Sequence, residues 1–326
     1  MLKIGSKNIK TNVMLAPMSG CTDLAFRLVV RELGAKFCFF EMVDANSLVY
    51  DHPKSLGMLK TIKKDTPIAA QLLGSDPDIM LQAAQKLIKL VDISFLDINS
   101  ACPVKKVTSK GAGASLLNNP ANLCKIIKKL ASSLAIPITI KIRTGYSKTD
   151  IKSTLSLVKK CEKAGVSAIF VHGRSRSQGY AGEIDYECIR TIKKEAKIPI
   201  IGSGNIFNPY TADKMFKQTG CDGILVARGA FGNPWIFKHI QDYLSSGKTP
   251  KLPTNTQKLK ILKKHLKLID KYKQVAPPAK IGIMQKVTMW YLKGLPEAAR
   301  MRYKICSIKT LDELKNAATH FFKKGV

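Results

Sequence analysis

Cys102 stands in the run Asn99-Ser100-Ala101-Cys102-Pro103, at the end of an apolar stretch. A thiol carries a proton that it can deliver as a general acid. An inert small hydrophobe is the alternative, but the position at the end of a predicted strand, near Asn99 and before Pro103, favours a functional role. Lys141 and Arg143 are alternate residues of another such stretch, so in a strand they point the same way. Two cations side by side are unfavourable unless an anion or an electron-rich ligand meets them. His172 could join them, or be a satisfied core histidine. Gly202-Ser203-Gly204-Asn205 and Ala227-Arg228-Gly229-Ala230 are glycine-bearing turns whose open N–H groups suit a phosphate, with ordinary turns as the bland alternative. Met18-Ser19-Gly20, Glu41 and Gln71 close further apolar runs in the same way.

Those runs predict the elements that must carry these groups. Strands are expected at residues 13–17, 37–43, 68–73, 95–99, 138–143, 168–172, 200–203 and 223–227. Most read as continuous apolar segments, the pattern of a parallel sheet buried on both faces. Amphipathic helices are expected at residues 77–91, 121–134, 151–164 and 210–218. The first opens on Ser75 and Asp76 as caps, with Pro77 in the first turn. Eight βα units in this span predict a (β/α)8 TIM barrel, in which functional groups gather at the C-terminal ends of the strands. A doubly wound sheet is the rival fold, usually with five or six strands. The two glycine turns follow the seventh and eighth strands, the customary phosphate site of a barrel.

After Phe237 the strand signals stop. A linker with Gly247, Pro250 and Pro253 leads to helices predicted at 257–273, 279–293 and 311–322, a small C-terminal all-helical domain. The expected division is 1–244 for the barrel and 245–326 for the helical domain.

The chain has 326 residues and a formal net charge of +31, from 54 Lys and Arg against 23 Asp and Glu. Only nine of the basic residues are arginine, a skew that compositional drift alone could produce. Residues 1–245 carry 35 basic and 19 acidic side chains, whereas 246–326 carry 19 and 4. The tail is thus far more basic per residue, as expected of a surface that attracts a polyanion. Hydrophobic residues make up 45%, which excludes disorder. No apolar run reaches the ~18 residues a membrane helix needs, and residues 1–10 lack a signal-peptide core, so a cytoplasmic protein without membrane association is expected. The eight cysteines are scattered, with no Cys-x-x-Cys pair and no clustered histidines, which argues against a metal and against a disulfide framework.

Taken together, the motifs resemble the tRNA-dihydrouridine synthase family, most closely its bacterial B-type branch. The matching stretches are Ala16-Pro17-Met18-Ser19-Gly20-Cys21-Thr22-Asp23, Asp97-Ile98-Asn99-Ser100-Ala101-Cys102-Pro103-Val104-Lys105-Lys106-Val107 and Gly111-Ala112-Gly113-Ala114-Ser115-Leu116-Leu117. Lys141-Ile142-Arg143-Thr144-Gly145, Val171-His172-Gly173-Arg174-Ser175-Arg176, Gly229-Ala230-Phe231-Gly232-Asn233-Pro234-Trp235 and Trp290-Tyr291-Leu292-Lys293-Gly294-Leu295-Pro296 follow in the family's order.

The resemblance implies an FMN-dependent oxidoreductase in which NADPH (or NADH) reduces the flavin and the flavin then reduces a uridine of tRNA to 5,6-dihydrouridine. FMN would lie against Ala16, Pro17 and Met18, with Gln71 and Lys141 on polar ring atoms. His172, Ser203, Gly204, Asn205, Ala227 and Arg228 would take its phosphate. Asn99 and Arg143 would orient the flipped uracil, hydride would go from flavin N5 to uracil C6, and Cys102 would protonate C5. The helical tail would bind tRNA, with no obligate protein partner implied. Competing readings are an FMN barrel reductase of a small free substrate, of the dihydroorotate-dehydrogenase or ene-reductase type, a phosphate-binding barrel lyase or isomerase without flavin, and a catalytically silent tRNA-binding protein.

Overall fold

The computed structural model describes residues 1–324. Its first element is one that the sequence did not announce. Strands β1 (Leu2–Ile4) and β2 (Lys7–Ile9) form an antiparallel hairpin with Leu2 opposite Ile9. At three residues each, they are too short to show a period. Eight parallel strands follow: β3 (Val13–Leu15), β4 (Cys38–Asp44), β5 (Ile68–Leu73), β6 (Leu96–Ser100), β7 (Ile138–Arg143), β8 (Ala168–His172), β9 (Ile200–Ser203) and β10 (Gly223–Val226). They pair in chain order, and β10 closes on β3, so the barrel is complete. Each predicted strand is present, with its ends moved by no more than two residues.

Side chains alternate across a strand, and here the alternation splits the apolar residues into two separate cores. Val13, Leu15, Ile68, Ala70, Ile98, Ile140, Ile142, Ile169 and Val226 face the surrounding helices. Met14, Phe37, Phe39, Ala69, Phe95, Phe170, Ile201 and Leu225 face inward, joined by Leu2, Ile4 and Ile9 of the hairpin. Phe37 and Phe95 stack with centroids 5.3 Å apart, and Phe39 meets Phe170 edge-on at 5.4 Å. This aromatic plug fills the lower barrel. Two residues further along β5, β6 and β8 the inward positions become Gln71, Asp97 and His172, whereas a bulge in β4 puts Met42 opposite Gln71, so the polar layer begins where the phenylalanines end.

The helix predicted at 77–91 is Pro77–Leu90, and the Asp76 carboxylate accepts from the amides of Asp78 and Ile79. Pro120–Ser133, Ile151–Lys163 and Pro209–Thr219 also stand where expected. Tyr186–Glu195 was not foreseen, because its apolar stripe is only Cys188, Ile189 and Ile192.

The helical region holds Asn255–Tyr272, Pro277–Leu292, Ala298–Ser307 and Leu311–Lys324, one helix more than predicted; residues 325–326 of the expected helical domain lie outside the described residues. The last barrel helix, Ile236–Ser246, runs past the expected boundary at 244/245 and stops at Gly247, whose φ of 70° is left-handed. Leu262, Leu266, Ile269, Met284, Leu292, Ile305 and Leu314 form a core that takes in Ala25 and Val29 from the barrel helix Leu24–Glu32. Trp290 stacks on Phe231 with centroids 4.2 Å apart, and His265 stacks on Phe26 at 5.6 Å. Lys273 pairs with Asp23 at 3.2 Å, and Lys264 with Glu32. Part of the tail's positive charge therefore binds the tail to its own barrel.

Candidate active site

At the C-terminal mouth of the barrel lies a cavity of about 340 Å³. Ala16, Pro17, Met18, Gln71, Asn99, Cys102, Lys141, Arg143, His172, Ser203, Gly204, Asn205, Ala227 and Arg228 all line it. The structure thus brings together the residues to which a site role was assigned, drawn from seven strands and the loops that follow them; Glu41, which also closes an apolar run, does not line the cavity and instead accepts from the Gly20 N–H.

Cys102 lies in the loop after β6 and is half-buried. The Asn99 Oδ1 accepts from the backbone N–H of Cys102 at 2.9 Å and of Ala101 at 3.1 Å. From the other side, the Cys102 carbonyl accepts from Ala114 N–H at 3.0 Å. Gly113 makes that approach possible: its φ is 60°, and a Cβ there would lie 2.9 Å from the Cys102 oxygen and 2.7 Å from Val107 Cγ1. The Gly111-to-Ala114 stretch is therefore a buttress for the thiol's loop. Arg143 adds a third tie, donating through Nε to Ala101 O at 2.7 Å.

The remaining contacts of Arg143 and Asn99 bear on the roles that the resemblance implies. Arg143 Nη1 donates to Ser175 O at 2.9 Å and Gly179 O at 2.8 Å, which leaves Nη2 without a hydrogen bond among the described residues. Asn99 Nδ2 donates to Gln71 Oε1 at 2.8 Å and approaches Met42 Sδ at 3.3 Å. Both faces of the Asn99 amide are thus engaged within the protein, which makes it a clamp on the Cys102 loop.

Positive charge dominates one wall. His172 is buried, and its Nε2 has no hydrogen-bond partner. Burial, followed by the field of Lys141, Arg143, Arg174 and Arg228, holds its imidazole well below the ordinary histidine range. Burial first, then Arg143, pushes the Lys141 ammonium down to about 8. Next to them, Gly204 and Asn205 have φ values of 128° and 50°. Both lie in the left-handed half of backbone space, which glycine enters freely and asparagine more readily than most residues. The orphaned imidazole nitrogen and the cationic wall together fit an anionic group such as the phosphate of a cofactor.

Beneath the cavity, Asp97 is fully buried and accepts from Gln71 Nε2 at 2.6 Å and from Thr139 Oγ1 at 2.7 Å. Burial pushes its carboxyl up to about 7, against the lowering effect of those two bonds. Asp97 and Thr139 were not among the candidate residues, although strand parity points to them: each stands two residues before an inward candidate, Asn99 and Lys141. Tyr180 and Phe207 were not among them either; these aromatic residues stand at the rim, and their rings flank the Arg228 guanidinium at 4.4 and 5.7 Å. They come from irregular loops, where no period marks them. Among the described residues, no group of three or more His, Cys, Asp or Glu side chains could hold a metal ion, and no helix is long and apolar enough to cross a membrane.

The fold is similar to that of solved barrel structures. A histamine dehydrogenase from Rhizobium sp. 4-9 superposes with a TM-score of 0.58 at 11% identity, over 82% of this chain and 50% of that one. An old yellow enzyme homologue from Zymomonas mobilis gives 0.56 at 12% identity, over 77% and 93%. At such identity these likenesses speak to the barrel alone. In sequence, a probable tRNA-dihydrouridine synthase of Rickettsia conorii is 35% identical over 93% of this chain and 90% of its own. The tRNA-dihydrouridine synthase B of Pseudomonas aeruginosa is 34% identical over 99% and 96%. A family model described as dihydrouridine synthase matches residues 14–325. With that model spanning nearly the whole chain and B-type relatives aligned end to end, the protein belongs to the dihydrouridine synthase family, the enzymes that form dihydrouridine in tRNA.

Proposed function

We propose that the cavity binds FMN, that NADPH or NADH is the electron donor, and that the enzyme reduces one uridine of tRNA with Cys102 as the general acid. The observation that carries this reading is the meeting, in one cavity, of a tethered thiol with a cationic wall and an unpartnered buried imidazole nitrogen. His172, Arg228 and the backbone of Ser203, Gly204, Asn205 and Ala227 hold the phosphate. Lys141 and Gln71 hold the polar edge of the ring, which lies against Ala16, Pro17 and Met18. When bound and reduced, the flavin supplies the hydride that uracil C6 takes up.

The protein's own part is to place the base and deliver the proton. Breaking the stack is required before a base in structured RNA can enter such a pocket. Arg143 Nη2 is the nitrogen of that residue left to meet the base. The Cys102 thiol gives its proton to uracil C5, and bulk water restores it. The clamp of Asn99, Ala114 and Arg143 on the loop keeps the thiol within proton-transfer reach. Residues 1–244 form the flavin-binding catalytic unit and 245–326 the tRNA-binding unit of a cytoplasmic enzyme that needs no protein partner.

Mass-spectrometric mapping of dihydrouridine in tRNA from a deletion strain, with and without the gene restored, tests the activity. With Cys102→Ala in its place, the rate is expected to fall by about 10²- to 10⁴-fold, the usual worth of a positioned acid, with flavin still bound. Normal turnover in that variant refutes the proton-donor assignment.

A further inference from the structure

Four buried side chains and the backbone amide of half-buried Cys102 form one continuous hydrogen-bonded chain under the cavity. Thr139 Oγ1 donates to Asp97 Oδ1 at 2.7 Å, and Gln71 Nε2 donates to Asp97 Oδ2 at 2.6 Å. Asn99 Nδ2 donates to Gln71 Oε1 at 2.8 Å, and Asn99 Oδ1 accepts from the amide of Cys102 at 2.9 Å. The chain spans three neighbouring strands, β5, β6 and β7, with Gln71 in register with Asp97 and Asp97 with Thr139. Asp97 and Thr139 are fully buried, and Gln71 and Asn99 nearly so.

A primary amide can be turned end for end, so an isolated Gln or Asn has no preferred direction. This chain has one, because its two ends differ. At the loop end, the backbone N–H groups of Ala101 and Cys102 can only donate, which requires the Asn99 oxygen to face them. The Asn99 nitrogen then faces Gln71, the Gln71 oxygen faces Asn99, and the Gln71 nitrogen needs an acceptor on its far side. Asp97 supplies it, and does so in either protonation state: ionised it accepts from both neighbours, and protonated it donates to Thr139 through Oδ1 while still accepting from Gln71 through Oδ2.

We propose that Asp97 is a positioning residue for the reaction, fixing the direction of a buried relay that orients the Gln71 amide on the cofactor side and, through Asn99, holds the loop that carries Cys102. This rests on the assignment of flavin and proton donor given above. It adds that the two halves of the site are coupled through side chains that touch neither substrate nor thiol.

Direction, not charge, is what Asp97 contributes, so two substitutions separate the cases. Asp97→Leu removes the acceptor and leaves the Gln71 nitrogen unsatisfied. Asp97→Asn keeps the relay, with its oxygen towards Gln71 and its nitrogen donating to the Thr139 hydroxyl. The first readout needs no flavin: hydrogen exchange of the Ala101 and Cys102 amides in the apoprotein, resolved by mass spectrometry and compared with amides of β8. In Asp97→Leu, exchange at 101 and 102 is expected to rise by about tenfold or more with β8 unchanged, the scale set by a buried donor left unsatisfied. In the holoenzyme, oxidation of the reduced protein by tRNA is expected to slow by about tenfold or more in that variant, while reduction by NADPH stays within about threefold. Asp97→Asn is expected to match the wild type in both. Should Asp97→Leu fail to fold, Asp97→Asn combined with Thr139→Val replaces it: the amide nitrogen introduced at position 97 loses its acceptor, and the combination falls far below either single change. Wild-type exchange at 101 and 102 in Asp97→Leu, an additive double variant, or Asp97→Asn impaired as badly as Asp97→Leu each overturns the proposal. A wild type that binds no flavin or reduces no tRNA refutes the functional reading instead, and leaves the exchange result to judge the relay.

Discussion

Lys141 makes the electrostatics of the site testable at the scale of a single side chain. Its folded pKa is about 8 against an ordinary 10.5, with burial as the first cause, so it sheds its proton within reach of mild alkali. Affinity for an anionic flavin is therefore expected to weaken as pH rises through about 8 and beyond, and Lys141→Met is expected to abolish that step; fluorescence titration of the apoprotein with FMN measures both. The stability of the apoprotein carries the opposite sign. Between about 8 and 10.5 the unfolded chain binds more protons at this residue than the folded one, so the Lys141 contribution to stability rises with pH. Asp97, raised from 3.8 to about 7, acts in the other direction: over that window the folded state holds the extra proton, and stability falls as pH rises.

At the scale of elements, the helix Leu24–Glu32 links the two parts of the molecule, and one buried ion pair anchors it. Arg27 and Asp65 are both fully buried and meet at 2.8 Å. Arg27 also donates to the carbonyls of Thr22 at 2.6 Å and Lys60 at 2.7 Å, and its guanidinium lies 4.6 Å from the Phe40 ring centroid. Removing one partner of such a pair leaves a buried charge uncompensated, so Arg27→Ala is expected to lose about 3–5 kcal/mol in urea unfolding. A loss under about 1 kcal/mol contradicts that account, because it is the size expected of an exposed pair. Arg31 shares Asp65 at 2.9 Å and softens the effect without supplying the lost carbonyl bonds.

For the whole molecule, the question is which of the tail's 19 basic residues face a polyanion. Lys264 and Lys273 bind barrel carboxylates, and Lys286 donates to Gly20 O at 2.5 Å, so these three serve docking. Lys260, Lys267 and Arg300 are exposed and have no carboxylate partner among the described residues. Replacing each of them by Ala is expected to lower the slope of log affinity for tRNA against log salt by up to about 0.9, one phosphate contact apiece. Filter binding between low and moderate salt measures it, and an unchanged slope in the triple variant returns these residues to ordinary solvated surface. Deleting residues 246–326 is the poorer test, because it strips the cover from Ala25, Val29 and Phe231.

The +31 charge and its concentration after residue 245, the eight strands and the ends at which chemistry collects were all legible in the chain, because composition and strand period are local properties. So were the site residues at strand ends, which follow from parity and position. What each of those residues touches was not. Asn99 and Arg143 sit at the mouth as expected, yet their hydrogen bonds run to the Cys102 loop, to Gln71 and to the loop after β8, and Lys273 is tied to Asp23 across more than two hundred residues of chain. The relay through Asp97 lies across three strands that are adjacent only once the barrel closes. A hydrogen bond depends on distance and angle between groups remote in sequence, and no period in the chain encodes those. Residue types and their order determined which groups could do chemistry; closure of the barrel and docking of the helices decided which of them hold the others in place.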